Sequence, residues 1–285
     1  MRLLVASHKL CWVDSSAPSG YATDGGFASQ IGALARLFDE TVLCVPVAPG
    51  PAAAGLTAID RHIVVHPLVA ADGPLWRRRL RSLSWFGALW REVRRVDAVH
   101  APVPGDVGSL AVIAALVARK NLFVRHCATW AAPRTRADRM LRGLLERAAG
   151  GRVVVLATGA GDQPPSPGRG DIHWIFSSSV RTEELDAVRL RRRRAPRRGA
   201  AHLVTGGRLI VEKGADTAID AFAVLHRRGV ASHLHVVGDG PARAALEARA
   251  ADHAVQDAVT FHGRLARDAF FNDTATTEIY TLSLH

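Results

Sequence analysis

An α/β protein built from two parallel-sheet domains, the second of them incomplete, is the fold class that the sequence predicts. Three observations predict it. Short apolar runs alternate with segments of helical period along most of the chain. Several runs end in glycine-bearing turns that open onto a helical pattern, as at the ligand-binding end of a parallel sheet. An arginine run, RLRRRRAPRRG from Arg189 to Gly199, breaks the alternation where apolar residues vanish and Pro196 and Gly199 stop a helix. The expected organisation is a first domain over 1–198, with the arginine-rich linker at 189–198, a partial second domain over 199–269, and a tail over 270–285.

The first element is the apolar run Leu3 to Ser7, too short for a signal peptide and read as a strand. A polar, glycine-bearing loop follows from Ser15 to Gly26. Phe27, Ile31, Leu34 and Leu37 then recur at helical spacing. Thr41 to Val45 and His62 to His66 are the next strands. Pro74 to Arg95 is a basic amphipathic helix, with Trp76, Leu80, Leu83, Phe86, Trp90 and Val93 on one face. It is read either as a crossover helix packed on the sheet, the favoured reading, or as a helix lying in an anionic headgroup layer. Asp97 to His100 is a strand, Leu110 to Ala118 an apolar helix too short to span a bilayer, and Leu122 to Arg125 a strand leading into His126, Cys127 and Trp130. Arg136 to Ala149 is helical, and Arg152 to Ala157 and Ile172 to Phe176 are strands.

The second domain repeats the scheme: strand, GGRLIVEKG from Gly206 to Gly214, helix Ala215 to Leu225, strand, GDGPARAALE from Gly238 to Glu247, and strand Ala258 to Phe261. After Arg264 the chain is threonine-rich and shows no further βα unit, so a sheet of three strands is expected. Glycines let a backbone approach a ligand closely, and the helix that follows aims free N–H groups and a partial positive charge at the turn. Arg208 adds a fork suited to phosphate oxygens and Lys213 a point charge. The strict GxGxxG fingerprint is absent, so no dinucleotide cofactor is indicated.

The 285 residues carry a formal net charge of +11, nearly all of it from arginine. Such an excess suits nucleotides, nucleic acid or an anionic membrane. Nucleic acid is disfavoured, because no aromatics interleave with the arginines and no recognition motif appears. Cys11, Cys44 and Cys127 form neither a disulfide framework nor a zinc motif, which points to a reducing compartment. A cytoplasmic protein is expected, with peripheral contact at the inner membrane face as the additional reading.

GGRLIVEKGADTAIDAF, HLHVVGDGPARAALE and AVTFHGR, in that order from about Thr205 to Arg264, resemble the motifs of the retaining GT-B glycosyltransferases of the group 1 family. The N-terminal half resembles that family's acceptor-side domain more loosely, through Gly25–Gly26, DAVH and VRHCATW. The resemblance implies two Rossmann-like domains, a UDP- or GDP-linked sugar donor as substrate, no cofactor and no metal. It implies a hexosyltransferase acting on a cell-surface glycan or lipid-linked acceptor. Gly207, Arg208 and Lys213 would hold the donor diphosphate, Gly25 and Gly26 would approach donor or acceptor, and Gly238, Asp239, Gly240, Gly263 and Arg264 would form the nucleoside-side turns. His126 is the catalytic candidate, with His100, at another expected strand end, behind it. The chain departs from the family's pattern in one respect: no two of its glutamates are eight residues apart, where the family grips ribose and sugar with such a pair. The ending FFNDTATTEIYTLSLH looks unlike a domain. A truncated, inactive chain is therefore expected, and the alternative is a non-catalytic nucleotide-binding or basic membrane-surface module.

Overall fold

The structure, a computed structural model, describes residues 1–51, 55–70, 75–128, 130, 135–158, 163–166, 168–175, 186, 201–265 and 279–281, with residues 51, 75–83, 212 and 279–281 described as backbone only. The chain forms two compact units, Met1–Ser179 and Val180–His285. The arginine run at 189–198 lies outside the described residues, as does most of the tail.

In the first unit the strands are β1 (Arg2–Ala6), β2 (Cys11–Val13), β3 (Tyr21–Thr23), β4 (Glu40–Pro51), β5 (Thr57–Ala58), β6 (Ile63–Val69), β7 (Ala98–Val103), β8 (Asn121–His126), β9 (Val153–Thr158) and β10 (Ile172–Ile175). They form one sheet in the order β10-β9-β8-β7-β1-β4-β2-β3-β5, with β6 also paired to β4. Its parallel body, from β6 through β4, β1, β7, β8 and β9 to β10, reverses direction of growth between β1 and β7, which is where such sheets open a crevice at the carboxyl ends. β1 reads as a continuous apolar run because both its faces are covered. Leu4 packs with Trp85, Leu89 and Val93 of helix α2 (Leu75–Arg95) and Val107 and Ala111 of helix α3 (Asp106–Val117). Leu3 and Val5 pack with Ala28 and Ile31 of helix α1 (Phe27–Ala35). Helix α4 (Arg136–Ala148) opens on a capping box in which Thr135 Oγ1 accepts from Asp138 N and the Asp138 carboxylate accepts from Thr135 N, each at 3.1 Å.

Three expectations change here. The segment Ser15 to Gly26 is not all loop, since β2 and β3 pair antiparallel within and beside it and extend the far half of β4. Leu37 falls beyond the end of α1 and is 76% exposed. β7 runs three residues past His100, so that histidine sits in mid-strand. The second half of α2 follows the crossover reading: Trp85, Leu89 and Val93 are core, and Trp85 Nε1 donates to the Val69 carbonyl at 3.1 Å. Trp76, Leu80 and Leu83 have side chains outside the described residues.

The second unit contains β11 (Ala201–Gly206), α5 (Ala215–Arg227), β12 (Ser232–Val237), α6 (Arg243–Asp252), β13 (Val259–Gly263) and β14 (Ile279–Thr281). Its sheet is parallel, in the order β13-β12-β11-β14. The fourth strand corrects the expectation of three: its backbone pairs with His202 to Val204, inside a threonine-rich stretch that carries no helical or alternating signal. Leu203, Leu234 and Val236 meet Ile219, Phe222, Leu246 and Ala250 of α5 and α6 in one core. On the alternate positions of the strands stand His202, His235 and His262 in a row across β11, β12 and β13. His202 Nδ1 lies 2.9 Å from His235 Nε2, and His235 Nδ1 2.9 Å from His262 Nε2.

Candidate functional site

In the second unit the turns after β11, β12 and β13 are tied into one surface at the carboxyl end of the sheet. Gly207 N donates to Val237 O at 3.0 Å, Leu209 N to Asp239 O at 3.1 Å, Ala242 N to Leu209 O at 3.0 Å and Gly238 N to Gly263 O at 2.7 Å. Two glycines are required by this docking. A Cβ on Gly238 would stand 1.8 Å from the Gly207 carbonyl oxygen, and one on Gly240 would stand 2.5 Å from that of Leu209. What these two glycines admit is the neighbouring turn. Gly207 has open space where its Cβ would be.

Arg208 and Lys213 flank this surface. Both are exposed, and among the described residues neither has a side-chain hydrogen bond or ion pair. Lys213 ends a short 3-10 turn, Val211–Lys213, which Gly214 closes in left-handed conformation while serving as N-cap of α5. No side chain caps α5, so the N–H groups of its first turn remain open toward the glycine turn. Asp239 is turned to its own loop, accepting from Gly240 N at 2.8 Å. Arg264 is exposed. Arg243, not singled out by sequence, reaches the same end of the sheet but is engaged: it pairs with Glu247 at 2.8 Å and lies over Phe261. Its spacing to Glu247 on one helix was the available signal.

In the first unit, Gly25 has a φ of +69° with nothing near its absent Cβ, and Gly26 is the N-cap of α1. His126 closes β8, in register with Val103 of β7 and Ala157 of β9, and is 2% exposed. Its Nδ1 lies 3.0 Å from the Ala128 carbonyl, and burial lowers its proton affinity below the ordinary imidazole value. Beside it, Arg125 donates to Gln30 of α1 at 2.9 Å, so β8's end and the Gly25–Gly26 turn belong to one edge of this unit. His100 does not join them. It is 4% exposed in mid-strand, stacked on Phe123 with centroids 4.3 Å apart. Its Nδ1 is 3.2 Å from the Phe123 carbonyl. It is a core histidine satisfied by backbone. Trp130, Arg142 and Glu146 surround His126's turn, and only Trp130 stood out in the sequence.

Among the described residues no group of three or more His, Cys, Asp or Glu side chains is placed to hold a metal ion, and no helix is long and apolar enough to cross a membrane.

An α/β chain of two parallel sheets with basic, glycine-bearing turns at a carboxyl end is the GT-B class of architecture. Residues 189–274 match the family described as "Glycosyl transferases group 1". That segment is the part of the chain that carries the likeness to the family. It is 54% identical over 48 residues to the GDP-mannose-dependent alpha-(1-6)-phosphatidylinositol dimannoside mannosyltransferase of Mycobacterium tuberculosis. That match spans 17% of this chain and 13% of the relative. Among solved structures, Anabaena HepE in complex with UDP and glucose aligns over 98% of this chain and 73% of its own, with a TM-score of 0.61 and 15% identity. The lipopolysaccharide outer core galactosyltransferase WaaB aligns over 96% and 71%, with a TM-score of 0.55 and 15% identity. A UDP-GlcNAc 2-epimerase from Methanocaldococcus jannaschii aligns over 99% and 79%, with a TM-score of 0.54 and 10% identity. The fold thus serves transferases and an epimerase alike, and the fold alone does not choose the chemistry.

Proposed function

We propose that this chain binds a nucleotide-linked hexose through the turns of its second unit and serves a retaining glycosyltransferase reaction on a cell-surface glycan or lipid-linked acceptor. The observation that carries the reading is the pair Arg208 and Lys213. Both are exposed and without ion pairs among the described residues, and they stand beside the open Gly207 turn and the uncapped α5, within the segment that matches the family. Breaking the bond from sugar to diphosphate places negative charge on the leaving phosphate. Fixed cations and N–H dipoles aimed there stabilise the transition state more than the ground state. In a retaining reaction the acceptor hydroxyl attacks from the face that the diphosphate leaves, and the leaving phosphate takes the proton. No side-chain carboxylate base is needed, and charge neutralisation by Arg208 and Lys213 removes the need for a metal. His126 would lie against the donor sugar, and Gly25–Gly26 would let backbone approach the ligand.

The mannosyltransferase relative favours a GDP-linked donor, and the HepE complex a UDP-linked one. Calorimetric titration with GDP-mannose and UDP-glucose distinguishes them. Binding of one is expected, weakened about 10- to 100-fold by Arg208→Ala, the range of a charge-assisted hydrogen bond. Binding of neither, or binding indifferent to Arg208, refutes the proposal. A second reading, a nucleotide-binding module without turnover, is favoured by one observation: no two glutamates of the chain are eight residues apart. Donor binding without sugar release or transfer would select it.

A further inference from the structure

Three contacts from separate elements converge on the turn that follows His126. Arg142, in the second turn of α4, donates from Nη1 to the Trp130 carbonyl at 2.9 Å, and its guanidinium carbon lies 5.9 Å from the indole centroid. Trp130 is 2% exposed and donates from Nε1 to the Pro165 carbonyl at 2.9 Å, anchoring the turn to the segment between β9 and β10. The indole meets the His126 imidazole edge-on, with centroids 5.0 Å apart and planes at 86°. Glu146, one helical turn after Arg142, stands 3.4 Å from its Nε and accepts from the Ser166 hydroxyl at 3.5 Å. Arg142 is thus turned inward, while Arg136, Arg139 and Arg147 of the same helix are exposed.

The turn so held carries the Ala128 carbonyl, which faces His126 Nδ1. A carbonyl can only accept, so the proton of the neutral ring sits on Nδ1 and Nε2 presents a lone pair. Among the described residues Nε2 has no hydrogen-bond partner. We propose that Arg142 and Trp130 are positioning residues that lock His126 in the Nδ1–H tautomer, making Nε2 a dedicated acceptor for a hydroxyl group of the bound sugar. The functional half of this inference rests on the glycosyltransferase reading above, while the tautomer half stands on the geometry of this unit. A ring free to rotate or to exchange tautomers would donate to a sugar oxygen as readily as accept, and would discriminate neither. An acceptor-only nitrogen rejects a deoxy sugar, because the lone pair would then lose its partner.

The test is long-range nitrogen–proton correlation NMR of the histidine rings in the full chain, assigned by His126→Ala. His126 is expected as a single Nδ1–H tautomer. In Arg142→Gln the signal should move toward a tautomer mixture and titrate higher, since the Arg142 charge is one of the causes that lower it. Arg142→Lys, which keeps a donor and a charge, should restore most of the parent spectrum. Trp130→Phe keeps a ring but drops the Pro165 anchor and should act like Arg142→Gln, which preserves the test should one variant fail to fold. A His126 spectrum unchanged in a folded Arg142→Gln or Trp130→Phe chain overturns the positioning role. If instead the spectra respond but His126→Ala binds the donor as tightly as the parent, the tautomer lock holds and the sugar contact is refuted.

Discussion

Burial among β1, β7 and β8 holds the His100 imidazole neutral, its proton affinity pushed down to about 4 chiefly by desolvation, with the Arg125 charge acting in the same direction and the Phe123 carbonyl opposing. The sign of its effect on stability follows from comparing the two states. Above the unfolded value of about 6.5 neither state carries the proton. Between there and about 4 the unfolded chain binds it and the folded chain does not, so stability falls as the pH drops. Below that, both are protonated and the loss is complete, on the order of 3 kcal/mol at about 1.4 kcal/mol per unit. Denaturant unfolding at pH 7 and near pH 4.5 should show most of this loss in the parent and a clearly smaller one in His100→Gln. Equal losses would show that His100 is not the source. His126 and His233, both shifted downward with desolvation as the largest cause, act in the same direction and leave a residual slope.

At the scale of elements, the turn after β12 depends on the turn after β11 as much as on its own strand. Gly238 has a φ of +128° and no room for a Cβ, whereas Gly25 has a φ of +69° and open space around it. Gly25→Ala should therefore cost about 1 kcal/mol of backbone strain. Gly238→Ala should cost about 3 kcal/mol or more and remove nucleotide binding, because Leu209 and Asp239 can no longer meet. Thermal unfolding with and without nucleotide measures both, and equal costs would contradict the docking of the two turns. The same pair of turns shows what sequence could reveal. GGRLIVEKG and GDGP announced their glycines and cations by type and spacing, since local turn chemistry is written locally. That Gly238 serves the Gly207 carbonyl was not legible, because it depends on the register of two strands separated by a helix. The extension of β7 past His100 was hidden similarly: Ala101, Pro102 and Val103 gain their strand character from Val124, Arg125 and His126 on the neighbouring strand.

For the whole molecule, two α/β units, each built on a largely parallel sheet, were foreshadowed by the alternation of apolar runs and helical periods. The hairpin of β2 and β3 and the short β14 were not, because each consists of three residues whose only warrant is a partner elsewhere. The net charge of +11 is likewise a property of the whole chain and draws any polyanion non-specifically. Retention on a heparin column should therefore collapse as salt rises from about 0.05 to 0.3 M, as the screening length falls below about 10 Å. Nucleotide affinity at Arg208 should fall far less over the same range, because contact pairs against open N–H groups are screened less. Parallel decline of the two would reduce the candidate site to general charge.

The row of His202, His235 and His262 works as a proton ledger. Three neutral imidazoles bring three hydrogens to six nitrogens, and each of the two ring-to-ring contacts holds one of them between its rings. The third hydrogen occupies one end of the row and leaves the other end vacant. The row can therefore accept one further proton with both contacts intact, and a second breaks a contact. Across β11, β12 and β13 the three rings are thus joined into one file of donors and acceptors, so the orientation of each ring fixes that of the next.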